Sequence, residues 1–199
     1  MNTQLHSTKL IGVLFLIALI PNIIANELLN PILADPDCLS LMYENRFTVI
    51  TANLLNIICG IAMILIPVVL FPTVKKELKP FAIGYIVFRA IEGVLFFHIA
   101  QKTFGLIDLS RLSLAESGNN QIYKALGQST QIEIQWTTLL YLITYCCGAM
   151  LFYSLLFKAK MIPKWISLWG LAGVVLLAAG PVLFLTEADI FKNRSLLEG

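Results

Sequence analysis

Long apolar runs alternate with shorter polar intervals along this chain. A membrane span needs about 20 apolar residues at a rise of about 1.5 Å each. Five runs satisfy that length: 10–28, 48–70, 81–100, 136–157 and 165–185. The pattern therefore predicts an all-α integral membrane helical bundle of five transmembrane helices, which together form one domain over residues 1–199.

Only one polar interval, residues 101–135, is long. Its leucine and isoleucine spacing predicts interfacial helical turns on either side of a break at residues 117–120. The first apolar run allows a second interpretation, a signal peptide that is cut after Ala25. Because Pro21, Asn22 and Asn26 suit a functional span better, we expect this run to remain as the first helix.

The composition agrees with a membrane protein whose main partner is the lipid bilayer. The chain is 58% hydrophobic and 13% charged, about half the charge of an average soluble domain. The net charge of +2 is too small to indicate binding to nucleic acid. The four cysteines have no metal-binding spacing, and His6 and His98 give no support to a haem site, so we expect no metal, disulfide framework or cofactor.

Lysine and arginine in the flanks predict the orientation, because short cytoplasmic segments carry an excess of both. A cytoplasmic N-terminus places seven lysines in short inner segments that contain a single acid, Glu77. Those lysines are Lys9, Lys75, Lys76, Lys79, Lys158, Lys160 and Lys164. We therefore expect the N-terminus to lie inside.

Polar residues within the predicted spans lie mainly in the outer half of the membrane: Asn22, Asn26, Glu27, Asn53, Asn56, Tyr141 and Thr144. Residues three or four apart share a helix face. Such polar faces normally contact other helices or a water-filled cavity, since hydrocarbon cannot satisfy them. The pattern predicts an outward-facing polar cup that binds or passes a small ligand.

Arg89 and Glu92 lie near the midplane of the third span and would form the floor of that cup. Their spacing lets them pair within one helix, with Arg89 supplying charge for an anion and Glu92 orienting it. One carboxylate cannot satisfy five guanidinium donors, so we expect Asn22, Asn53 and Asn56, which lie at suitable depths in the first two spans, to accept the others directly or through water. The same pair could equally serve only to fix helix packing.

Three segments resemble the bacterial domain-of-unknown-function family 4386, a group of small polytopic membrane proteins. They are KLIGVLFLIALI in the first span, FRAIEG in the third, and LFYSLLFKAKMIPKWISLWGLAGVVLL across the last two. The resemblance covers residues 9–185 and implies a multi-helix protein of the bacterial cytoplasmic membrane without an established activity. Family members usually add a sixth span, so the resemblance also implies that a sixth helix could be missing here.

Three functional hypotheses follow. The first is a non-enzymatic ligand-binding membrane protein, and the second is a structural or accessory subunit that contacts a membrane protein partner or forms a homo-oligomer. The third is an intramembrane enzyme that uses Glu27, Glu92 or His98 for proton transfer. The sequence contains none of the common catalytic motifs, and we therefore expect no catalytic residues.

Overall fold

The computed structural model describes residues 2–35, 37–115, 120–160 and 162–197, with side chains described over 9–35, 37–115, 121–160, 162–181 and at Leu183. Six α-helices occupy these ranges, and no strand is present in them. The helices are α1 (Asn2–Leu33), α2 (Cys38–Glu44), α3 (Arg46–Leu70), α4 (Lys79–Ala115), α5 (Asn120–Ala159) and α6 (Lys164–Leu197). Two short 3-10 turns, Phe71–Thr73 and Lys76–Leu78, connect α3 to α4.

Five of these helices are long and apolar enough to cross a membrane: Lys9–Leu33, Arg46–Thr73, Lys76–Ala115, Gln121–Ala159 and Lys164–Pro181. The helices α1, α3, α4, α5 and α6 each contain one predicted span, which confirms the prediction of an all-α membrane protein. A helix is favoured in lipid because it satisfies its backbone hydrogen bonds internally. Large apolar side chains such as Leu16, Val94 and Trp169 are exposed on the outside of the bundle, where lipid would cover them.

The prediction for residues 101–135 was incomplete. α4 continues without interruption to Ala115, and α5 already begins at Asn120, so both spans extend well beyond their predicted limits. At about 1.5 Å per residue, α4 with 37 residues and α5 with 40 are about 55 and 60 Å long. Of the predicted break at 117–120, residues 117–119 lie outside the described residues.

α2 packs against the extended part of α4. The backbone N–H of Tyr43 donates to Oγ of Ser110 at 3.0 Å, and Met42, Leu106 and Ser110 are fully buried. We call this part of the molecule, which contains α2 and the α4–α5 extensions, the α2 end. The opposite end carries the lysines of the α3–α4 and α5–α6 connections, and we call it the basic end.

The helices pack in the order α1, α3, α4, α5 and α6. α1 packs mainly on α3, and α6 packs on α5, but the described residues of α1 and α6 make no comparably extensive contact with each other. The bundle is therefore open on the side between α1 and α6. Cavities on this side are bounded by α5 and by the two outermost helices.

Candidate functional site

Arg89 and Glu92 form a buried ion pair one turn apart on α4. Nη1 of Arg89 donates to Oε1 of Glu92 at 2.8 Å and to Oε2 at 3.0 Å. Arg89 is 6% exposed and Glu92 is fully buried. The predicted pairing and the interior position of both residues are therefore present in the structure.

Two tyrosines flank the guanidinium of Arg89. Its Cζ lies 5.3 Å from the centre of the Tyr85 ring and 5.2 Å from that of Tyr145. Rings at this distance stabilise a cation, more strongly where water is excluded. Neither contact was predicted from the sequence, although Tyr85 lies four residues before Arg89 and hence on the same helix face.

The expectation that asparagines accept the remaining donors of Arg89 was wrong for direct hydrogen bonds. None joins Arg89 to Asn22, Asn53 or Asn56 among the described residues. The Nε atom of Arg89 is buried and has no hydrogen-bond partner within the described structure. The two tyrosine rings occupy space beside the guanidinium, so Arg89 is stabilised by aromatic faces instead of amide oxygens.

The asparagines instead bond to one another across α1 and α3. Asn26 Nδ2 donates to Asn22 Oδ1 at 3.3 Å, and Asn22 Nδ2 donates to Asn56 Oδ1 at 3.4 Å. Asn53 is buried one turn from Asn56, and its Nδ2 has no partner among the described residues. Asn22 and Asn56, two of the predicted site residues, thus join α1 to α3.

A cavity of about 310 Å³ lies beside Arg89. Three of the predicted cup residues line it: Asn22 from α1, Arg89 from α4 and Tyr141 from α5. Apolar and aromatic side chains and two sulfur-containing residues complete the wall, namely Phe15, Ala18, Leu19, Cys59, Met63, Leu142, Tyr145 and Leu177. Because Phe15, Leu19 and Leu177 are also exposed, the cavity opens between α1 and α6.

The other predicted site residues do not line this cavity. Asn26 and Glu27 lie on an exposed part of α1, while Asn53 and Glu92 are buried in the packed interior. The hydroxyl of Thr144 donates to the backbone oxygen of Leu140 at 2.7 Å. The predicted cup is therefore narrower and less polar than the sequence indicated.

The acid–base candidates are not brought together. Glu92 bonds to Arg89, whereas His98 lies 3.4 Å from Glu133, which also binds Lys102 at 2.9 Å. Glu27 is exposed on α1, and no ion pair of the described residues involves it. Within the ranges that the structure describes, no group of three or more histidine, cysteine or acidic residues could hold a metal ion.

Comparisons with known proteins add the family. Neither the curated proteins nor the solved structures contain a match to this chain. The family model described as a domain of unknown function (DUF4386) matches residues 10–197, nearly the whole chain. The match confirms the resemblance that was predicted from three segments of the sequence. The chain therefore belongs to the DUF4386 family.

Proposed function

We propose that this multi-pass membrane protein binds a small molecule in the cavity beside Arg89. The observation that carries the proposal is that Arg89, a buried cation whose Nη1 is bonded to Glu92, contributes to the wall of this cavity. A ligand that supplies an acceptor to the part of the guanidinium at the cavity wall would gain a charge-assisted hydrogen bond.

The charge around the cavity favours a ligand that is uncharged. Glu92 neutralises Arg89 through two short contacts, so an added anion would leave the buried site with an unbalanced negative charge. A carbonyl or hydroxyl oxygen can accept from Arg89 without adding charge. Asn22 and Tyr141 offer further hydrogen-bonding groups, while Phe15 and Leu177 contact the apolar part of such a ligand.

The size and opening of the cavity support a compact, lipid-soluble ligand. Its volume of about 310 Å³ lies at the lower end of the range for small-molecule sites, which is about 300–1,000 Å³. The exposed side chains at its edge belong to α1 and α6. The ligand would therefore reach Arg89 through the gap between these helices.

The experiment is a thermal-shift screen of the purified full chain in lipid nanodiscs, with a panel of carbonyl- and hydroxyl-bearing small molecules. A ligand at 100 times its Kd stabilises a folded protein by about 2.7 kcal/mol. Ala18→Leu should abolish this stabilisation, because Ala18 lines the cavity. Gly12→Leu is the matched control on α1, since an added Cβ there meets no atom within 4 Å and the residue is not in the cavity wall.

Arg89→Lys tests the donor itself. It retains a cation for Glu92 but removes the planar guanidinium and its several donors. We expect Arg89→Lys to fold and to lose ligand-induced stabilisation. If both Arg89→Lys and Ala18→Leu respond to the same ligand as the unmodified protein does, the cavity beside Arg89 is not its binding site.

A second candidate function is that of a structural or accessory subunit, alone or as a homo-oligomer. The ion pair favours it, since Glu92 and the two tyrosine rings already stabilise Arg89. An accessory subunit should show no ligand-induced stabilisation with any member of the panel, and it should co-purify with a membrane partner or a second copy. We further propose that the chain forms one domain in the bacterial cytoplasmic membrane, with the α2 end outside.

A further inference from the structure

A second and larger cavity, of about 550 Å³, lies between the end of α1, α5 and α6 at the α2 end. α5 contributes most of its polar wall through four residues, Gln128, Gln131, Gln135 and Thr138. Their spacing of three and four residues places them along one face of the helix. Leu142, the next residue on that face, lines both this cavity and the one beside Arg89.

The polarity of this wall changes along its length. Glutamines line the part nearest the α2 end, and Leu139 and Leu142 line the part nearest the middle of the bundle. Leu33, Ile134 and Pro181 add apolar surface. A lipid leaflet has the same order, with polar groups at its surface and hydrocarbon beneath.

The charge of the wall is low. Asp35 is the one charged side chain among the described residues that line the cavity. The nearby Lys124 and Asp37 lie 3.6 Å apart and offset one another. An anionic head group would meet the Asp35 carboxylate, and the described residues of the wall offer it no cation. Hydroxyl and amide groups, in contrast, can both donate to and accept from the glutamines.

We infer that this cavity binds a single-chain amphiphile with an uncharged, hydroxyl- or amide-bearing head group, taken from the bilayer. The head group lies among the glutamines, and the chain runs along α5 towards Leu142. The gap between α1 and α6 lets the chain enter sideways from the lipid. Arg89 is not in this wall, so the inference stands independently of the function proposed above.

Gly180 provides a direct test, because it lines the cavity and an added Cβ there meets no atom within 4 Å. Gly180→Leu should fill the cavity without disturbing its surroundings. Gly173→Leu is the matched control on α6, since it has the same open space and lines neither cavity. The probe is labelled monododecanoylglycerol, and equilibrium binding is measured on the full chain in nanodiscs.

We expect Gly180→Leu to weaken binding of monododecanoylglycerol about tenfold or more, and Gly173→Leu to change it less than about twofold. Size-exclusion profiles establish that both variants fold. A second variant, Gln131→Leu/Gln135→Leu, should weaken binding by about tenfold without filling the cavity. If neither variant weakens binding, or if the unmodified protein does not bind the probe, the inference is overturned.

A separate measurement tests whether the head group is uncharged. Dodecanoate carries an anion on a chain of similar length and should bind about tenfold more weakly than monododecanoylglycerol, a difference that Asp35→Asn should reduce. Equal affinity of the two amphiphiles would overturn the uncharged head group. Arg89→Lys should leave monododecanoylglycerol binding unchanged, so failure of the Arg89 site and failure of this one are distinguishable.

Discussion

Nη1 of Arg89 contacts both carboxylate oxygens of Glu92, at 2.8 and 3.0 Å, while the rings of Tyr85 and Tyr145 flank the guanidinium. A single nitrogen thus neutralises the carboxylate. The Nε atom has no hydrogen-bond partner in the described structure. The pair is therefore electrically satisfied but not fully hydrogen-bonded.

Arg89→Met should strongly destabilise the protein, because it leaves the Glu92 carboxylate buried without its cation. Removing one partner of a buried ion pair typically costs about 3–5 kcal/mol. Glu92→Gln should be tolerated better, since its amide oxygen still accepts from Arg89 and the two tyrosine rings still flank the cation. The measurement is the monodisperse yield after detergent extraction, together with Tm.

The double variant Arg89→Met/Glu92→Leu is the control for this prediction. It replaces both charges with apolar groups, a change that is often neutral or stabilising, and should recover the yield that Arg89→Met loses. A yield of Arg89→Met equal to that of the unmodified protein would show that the ion pair does not contribute to folding.

Gly170→Ala should weaken the packing of α6 on α5. A Cβ at Gly170 would overlap the ring of Tyr153, and overpacking of a core typically costs about 1–3 kcal/mol. Gly173→Ala, one turn later on the same helix, meets no atom within 4 Å. It should instead gain about 0.5–1 kcal/mol, as Gly→Ala does within a helix. Thermal unfolding of the two variants in one detergent compares them, and equal Tm values would contradict this packing.

Glu133→Gln should have little effect, even though Glu133 lies near both His98 and Lys102. The side chains of His98, Glu133 and Lys102 are 39%, 47% and 32% exposed. Exposed ion pairs contribute little to stability. We expect Tm to stay within experimental error of the unmodified protein. A decrease in Tm as large as that of Arg89→Met would mean that the contacts of Glu133 with His98 and Lys102 hold α4 and α5 together.

The orientation can be tested with reporter fusions. Reporters inserted within residues 72–79 or 158–164 should give a cytoplasmic signal, because these short segments carry the lysines of the basic end. A reporter within residues 117–124 should give an external signal. A cytoplasmic signal from that third fusion would reverse the orientation and place the α2 end inside.

The sequence predicted the five spans because a run of about 20 apolar residues has few alternatives to a membrane helix. It also identified Arg89 and Glu92, since charges near the middle of an apolar run need a partner. It did not reveal that α4 continues to Ala115, because polar residues are equally compatible with a loop and with a helix that leaves the membrane.

The sequence also misjudged which polar groups meet. Asn22 and Asn56 were assigned to Arg89 from depth alone, but depth does not determine which way each helix is rotated. In the structure their amides bond to each other, and tyrosines on α4 and α5 flank the arginine. Aromatic residues in an apolar run carry no distinguishing signal, so this role of Tyr85 and Tyr145 became visible only in three dimensions.

The length of α4 and α5 affects how the depth of the protein in the bilayer is fixed. Helices of about 55 and 60 Å exceed a hydrocarbon core of about 30 Å, so the helix ends cannot fix that depth. Interfacial side chains must fix it instead. Trp136 and Trp165 are exposed and begin the apolar runs 136–157 and 165–185 of α5 and α6. Because these successive helices run in opposite directions, replacing either tryptophan should let the whole bundle shift along the membrane normal.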